Sequence, residues 1–341
     1  MSWSSEFRVE STLSGIHSRS EESVRVSRDF DRGRTSEKEL EQTFASDSRN
    51  LVNLEISSGI TLVSDGQLKW QDFLRPFSES LKGLKSGADL SRWFDTNSFY
   101  RKPTVVGEVR SPTGSFPIEK YEVGSAFPKG KKNSVKKISI PGPYTLASLV
   151  EDKKYGSRTE LTNVFSKILR KVIDDLYAKG FTTIQVNEPS LVYRYGVSAL
   201  TNREHRKAFI EAFERHLSRS SAEIILHTYF GDCTKILPDL VELQGPKAIG
   251  IDFTQTSLAD IERIKFSDSK ALACGCVDGR NSLLESPEWI ARYCEEAVRT
   301  LKPSGLVVLP SSELKYLPRT YADQKVRSIG EACAALTKRL T

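Results

Sequence analysis

The sequence predicts an α/β protein, a (β/α)8 TIM barrel spanning 1–341 as one domain, and three observations carry that expectation. Eight short apolar runs, near 7–14, 60–63, 137–140, 181–186, 224–227, 248–251, 271–277 and 306–309, alternate with helical stretches. The runs are too continuously apolar to face water on one side, as in parallel strands covered by helices. Most hand over abruptly to polar residues at the carboxyl end, and no Gly-x-Gly-x-x-Gly follows the first, which disfavours a doubly wound open sheet.

Taken in order, residues 7–14 read as the first strand, turning at Gly15 into the polar loop of His17 and Arg19. Residues 20–50, rich in charge and serine, read as surface helix and flexible loop. Leu51 to Ile56 keep helical spacing, Gly59 ends that helix, and strand 60–63 leads into Asp65. Trp70, Phe73 and Phe77 fall on one helical face. Residues 104–109 and 116–123 flank Pro112-Thr113-Gly114 and read as an inserted hairpin with a basic tip. Strand 137–140 follows, then helix 160–179, strand 181–186, helix 202–219, and the apolar run that ends at His227. Helix 233–242, strand 248–251, strand 271–277, helix 287–301, strand 306–309 and a helix over 319–339 complete the chain.

Composition narrows the function classes. With 38% hydrophobic and 28% charged residues the chain is globular. No apolar run reaches the length of about 18 residues that crosses a membrane. The residues from Met1 to Glu6 lack the basic and apolar regions of a signal peptide, so the expected compartment is the cytoplasm. A net charge of +6 does not point to nucleic acid. The basic residues Lys129, Lys131, Lys132, Lys136 and Lys137 read first as a solvated loop tip and second as a surface for a polyanion. Five cysteines, an odd number, argue for reduced thiols rather than a disulfide framework. Cys274-Gly275-Cys276 has the wrong spacing for a zinc knuckle and reads as thiols packed inertly in a buried strand.

In a barrel all strand carboxyl ends open on one face, so His17, Asp65, Gly142, Glu188, His227, Asp252, Asp278 and Ser312 are expected to converge on a pocket. His227 taken alone reads equally well as a core histidine, and Asp232 as a helix cap.

The motifs Ser64-Asp65-Gly66-Gln67, Trp93-Phe94-Asp95-Thr96-Asn97, Gly142-Pro143-Tyr144-Thr145, Asn187-Glu188-Pro189, His227-Thr228-Tyr229-Phe230-Gly231, Val277-Asp278-Gly279-Arg280-Asn281 and Pro310-Ser311-Ser312-Glu313-Leu314 occur in that order. Together they resemble the cobalamin-independent methionine synthase family, and most closely its amino-terminal, zinc-free barrel. The resemblance implies methyl transfer from methyl-tetrahydrofolate to homocysteine, with zinc activating the thiol in the catalytic barrel. Matched to that barrel's ligands, His227 holds the histidine place, Tyr229 and Ser312 stand where cysteines belong, and Asp252 stands for a glutamate. Both thiolates are lost, and zinc is expected only if Cys233 or Cys276 substitutes. Asn187 and Gln67 stand where the family usually carries acids.

The resemblance therefore implies a small-molecule pocket with His227, Asp252 and Glu188 in catalytic places, and His17, Arg19, Asp65, Asn97, Tyr144, Asn187, Tyr229, Asp278, Arg280 and Ser312 in binding places. The expected role is an amino-terminal-barrel-like component working with a separate zinc-bearing catalytic barrel. The alternatives are a self-sufficient methyltransferase on another thiol or methyl carrier, and a non-catalytic binding or assembly subunit.

Overall fold

A ring of eight parallel strands organises the computed structural model, which describes residues 7–87, 89–128, 135–193 and 202–341. The strands are β1 (Val9–Ser11), β2 (Leu62–Val63), β3 (Val135–Pro141), β4 (Thr183–Asn187), β5 (Glu223–Thr228), β6 (Pro246–Asp252), β7 (Ala271–Val277) and β8 (Leu306–Pro310). Each pairs with its neighbours in sequence, β1 pairs with β8, and a Thr12–Leu62 bridge joins the two ends. The joint is weak in backbone pairing and is stitched by hydroxyls: Ser11 N donates to Thr61 Oγ1 at 2.9 Å and Thr12 Oγ1 donates to Leu62 O at 2.8 Å.

β2 has two residues, and Gln67 extends it in side-chain form. Its Nε2 donates to Ser139 O at 2.9 Å and its Oε1 accepts from Ser139 N at 3.0 Å, the two bonds that a further strand residue would supply.

Strand alternation separates two cores. Leu62, Ile225, Ala248, Ala271, Ala273, Val307 and Leu309 fill the ring. Residues of opposite parity, among them Ile224, Leu226, Ile249, Leu272 and Cys274, pack into the larger core beneath the helices. Three of these seven are alanines, which suits the little room that eight strands leave at the axis.

The surrounding helices are α1 (Glu21–Asp31), α2 (Glu37–Ser57), α3 (Arg75–Ser80), α4 (Pro143–Leu149), α5 (Arg158–Ala178), α6 (Arg203–His216), α7 (Leu237–Glu242), α8 (Pro287–Leu301) and α9 (Arg319–Leu340). Ser20, Ser36, Ser157, Asn202 and Ser286 cap α1, α2, α5, α6 and α8, each accepting from a first-turn N–H.

Three expectations are corrected. Residues 20–50 are surface helix as expected, but little of the segment is loop: α1 and α2 pack together, Asp47 accepts from Ser20 N and Ser23 Oγ, and Arg319 of α9 reaches Asp47 at 2.6 Å. Thr104–Arg110 is a strand, but its partners are Lys82–Lys85, antiparallel, and Glu151–Asp152, parallel. The anticipated second arm instead coils into the turns Ile118–Lys120 and Gly124–Ala126, since Pro117 has no N–H for a ladder. Trp70 and Phe73 precede α3, which begins at Arg75-Pro76, and they meet through ring packing at 5.7 Å rather than along a helix.

Candidate active site at the barrel mouth

The axial face of β5 carries Ile225 and then His227, whose imidazole is fully buried. Gly250 on the neighbouring strand makes room for it, since a Cβ there would lie 2.6 Å from His227 Cδ2. Gln185 Nε2 stands 3.1 Å from His227 Nδ1 and 2.7 Å from Asn187 Oδ1, and Asn187 Nδ2 donates to Ser14 O at 3.2 Å. With the Gln185 amide donating, Nδ1 accepts and Nε2 carries the proton. Among the described residues Nε2 finds no hydrogen-bond partner.

Further polar atoms at the strand ends share that condition: among the described residues Tyr229 Oη, Ser312 Oγ and Gln185 Oε1 are buried without a hydrogen bond. Glu313 Oε2 accepts from Tyr316 Oη, and Lys315 Nζ lies 3.7 Å from Oε1. The Tyr229 ring is 5.2 Å from that of His227. A Cβ on Gly15 would touch both Glu313 Cγ, at 3.0 Å, and Asn187 Nδ2, at 3.6 Å, so the loops after β1, β4 and β8 meet here. Buried polar atoms without partners are rare, and several at one barrel mouth mark a place where a ligand would complete the bonding.

Electrostatics follow from burial. The His227 pKa is pulled down to about 3 by desolvation and then by the charge of Lys137. Burial pushes Asp252 up to about 6 although Thr254 and Phe230 N donate to it. Burial likewise raises Glu313 and holds the Tyr229 phenol well above its ordinary value. Glu188 is pushed up to about 8 by burial, against the bonds from Tyr144 N, Thr145 N and Thr145 Oγ1 that favour its anion. Those bonds make Glu188 the cap of α4, whose own Gly142 has no side chain to offer and whose Cβ would overlap the Glu188 carboxyl.

An aromatic cap closes the mouth. Phe94 and Phe230, both in the left-handed region at φ 51° and 68°, pack at 5.4 Å. Tyr193 lies 4.9 Å from Phe94, Tyr316 lies 6.0 Å from Phe230, and the Arg280 guanidinium stands 5.0 Å over the Phe230 ring while reaching Asp95 at 3.1 Å.

The structure thus gathers His227, Asn187, Tyr229 and Ser312 from the anticipated residues, with Asp252 and Arg280 at the adjoining loops. Other anticipated residues are engaged elsewhere. His17 Nε2 bonds Asp323 of α9 at 2.9 Å, and Arg19 donates to Leu68 O and Trp70 O. Asp65 accepts from Gln67 N and Val123 N, Asp278 accepts from Arg280 N, and Tyr144 Oη meets His205 at 3.1 Å. Asn97 is exposed in the turn beyond Asp95. Lys137 does not belong to a surface patch for polyanions: it is buried inside the barrel, donating to Ser139 Oγ at 2.7 Å and to Leu13 O. Lys136 lies over the Phe127 ring at 4.5 Å, and Lys129, Lys131 and Lys132 lie outside the described residues. Gln185, Glu313 and Lys315 were not anticipated as site residues. The parity of Gln185 with Asn187 on an apolar strand was the signal available for the first.

The donor set does not fit zinc as the catalytic barrel of the resemblance would hold it. Tyr229, whose ring is 5.2 Å from that of His227, and Ser312 hold the sequence places where the resemblance puts thiolates. Cys233 is a buried thiol pushed up to about 12, with Thr256 Oγ1 3.5 Å from its sulfur. Cys276 leaves β7 on the face away from the axis, toward Cys294 at 3.9 Å. No substitution of ligands is supplied from these positions.

Residues 82–298 match the family model described as the cobalamin-independent synthase, N-terminal domain. The chain belongs to this family. Methionine synthases of Sulfolobus acidocaldarius and Saccharolobus islandicus (strain Y.N.15.51 / Yellowstone #2) are each 25% identical to it, over 86% and 90% of this chain and 82% and 89% of theirs. The solved B12-independent methionine synthase from Shewanella sp. W3-18-1, in complex with selenomethionine, superposes with a TM-score of 0.78 at 20% identity, over 97% of this chain and 98% of that one. A putative vitamin-B12 independent methionine synthase from Listeria monocytogenes gives 0.72 at 14% identity, over 97% and 99%. These two likenesses establish the barrel fold. Among the described residues no helix is long and apolar enough to cross a membrane.

Proposed function

We propose that this methionine synthase family barrel takes part in methyl transfer to homocysteine as an amino-terminal-barrel-like component, beside a separate barrel that carries the zinc. The observation behind this reading is the donor set around His227: Tyr229, Asp252 and Ser312 accompany it, and neither Cys233 nor Cys276 turns toward it. The family's zinc activates a thiol while held by soft thiolate ligands, and Tyr229 and Ser312 supply none. What this mouth offers is a cluster of buried polar groups. His227 Nε2–H and the Tyr229 and Ser312 hydroxyls are donors for a polar substrate such as methyl-tetrahydrofolate, Asn187 and Gln185 orient the imidazole, and Asp252 changes charge near neutrality.

Mixing the purified chain with a zinc-bearing catalytic barrel, methyl-tetrahydrofolate and homocysteine is expected to raise methionine formation, read by chromatography. His227→Ala should remove the increase. An unchanged yield with the intact chain would refute the reading.

A second reading is a self-sufficient methyltransferase using His227, Asp252 and Glu188. It is favoured by the relatives named methionine synthase, of which this chain covers 82% and 89%. Turnover by the isolated chain, on homocysteine or another thiol, would select it.

A further inference from the structure

Cys274 and Cys276 are two residues apart on β7, so their side chains leave on the same face, the one turned from the barrel axis toward α8. Gly275 between them takes the axial side. Cys294 on α8 meets the pair: the three Sγ atoms lie within 4.8 Å of one another, and Cys276 Sγ is 3.9 Å from Cys294 Sγ. All three are buried. Aromatic rings border this part of α8, with Tyr293 packed on Phe253 at 5.3 Å and stacked on Trp289 at 5.4 Å.

Thiols that only fill space have no reason to place three sulfurs at one point. A metal does: with metal–sulfur bonds of about 2.3 Å, sulfurs around a tetrahedral or trigonal ion stand roughly 3.8–4.0 Å apart. The Cys276–Cys294 separation already has this value, and the third sulfur needs a shift of no more than about 1 Å, within reach of a small χ1 rotation. Thiolates select soft ions. Binding a divalent ion releases three protons and leaves a net charge of −1 on the metal–thiolate unit; a monovalent ion would leave −2, which burial disfavours.

We infer that Cys274, Cys276 and Cys294 form a three-thiolate site for a soft divalent d10 ion, zinc or its heavier congeners, on the opposite side of β7 from the polar cluster that holds His227. Nothing in this inference depends on the proposed methyl-transfer role.

Cadmium is the probe. The ion is added to the reduced, full-length protein, both native and during refolding, and the ultraviolet sulfur-to-cadmium charge-transfer band is titrated. One ion per chain, proton release and a higher Tm are expected, and Cys294→Ala and Cys276→Ala should each lower the stoichiometry to none while Cys333→Ala leaves it at one. Circular dichroism establishes that each variant is folded, and two variants on different elements guard against the failure of one. Absence of the band in both additions, its persistence in folded Cys294→Ala, or its loss in His227→Ala instead would overturn the assignment.

Discussion

His227 lies inside the barrel with Gln185 on its Nδ1, and that placement decides its proton. The unfolded imidazole binds a proton below about 6.5, whereas the folded one, pulled down by burial and Lys137, does so only near 3. Between those values the unfolded state holds more protons, so stability falls as pH drops through the window. Asp252 and Glu188, raised to about 6 and about 8, act in the opposite sense, because the folded acids keep protons the unfolded ones release. Comparison with His227→Gln isolates the histidine. Urea denaturation at pH 7.5 and 5 should show the native chain losing about 2 kcal/mol more than the variant on acidification; parallel losses would disprove the buried neutral imidazole. At this scale the strand-end position of His227 was legible in the sequence, while the direction of Lys137 was not. Lysines clustered in sequence resemble a tip, yet Lys137 and Ser139 alternate with Ile138 and Ile140, and only the closed ring decides which parity is inside.

β2 shows how an element too short for its place is completed by a side chain. Gln67 was visible as a departure from the family's usual acid, and the structure supplies a reason: an amide both donates to and accepts from Ser139, which a carboxylate cannot do. Gln67→Ala leaves a buried N–H and carbonyl without partners and is expected to lower unfolding free energy by about 2–4 kcal/mol. Gln67→Glu should fall between the two chains. Equal urea midpoints for Gln67→Ala and the native protein would show that the ladder does not need this residue. The misread hairpin belongs to the same scale. Periodicity located a strand over 104–109, which the structure places at Thr104–Arg110, but its partner was chosen by tertiary packing.

Across the whole molecule, α9 is tied to the loops at the carboxyl ends of the strands. Lys325 is buried and donates to Glu285 Oε2 at 2.6 Å and to Leu283 O at 2.7 Å, while Glu285 Oε1 accepts from Asp278 N at 2.9 Å. The ion pair therefore holds the loop that carries Arg280 to the aromatic cap. Lys325→Met leaves the partly exposed Glu285 carboxylate without its cation and should cost about 1–3 kcal/mol, and Lys325→Met with Glu285→Leu should recover part of it. Thermal unfolding of the single and double variants measures this, and a double variant no better than Lys325→Met would refute the coupling.

The sequence by itself determined the barrel, the family, and the strand ends where chemistry is gathered, because apolar runs, caps and turn residues act over a few neighbours and are written locally. Tertiary structure alone decided that Gln67 completes β2, that Lys137 turns to the axis, that Phe94 and Phe230 meet over the mouth, and that Cys294 finds Cys274 and Cys276. These contacts join residues far apart in the chain, and ring closure sets which faces are brought together.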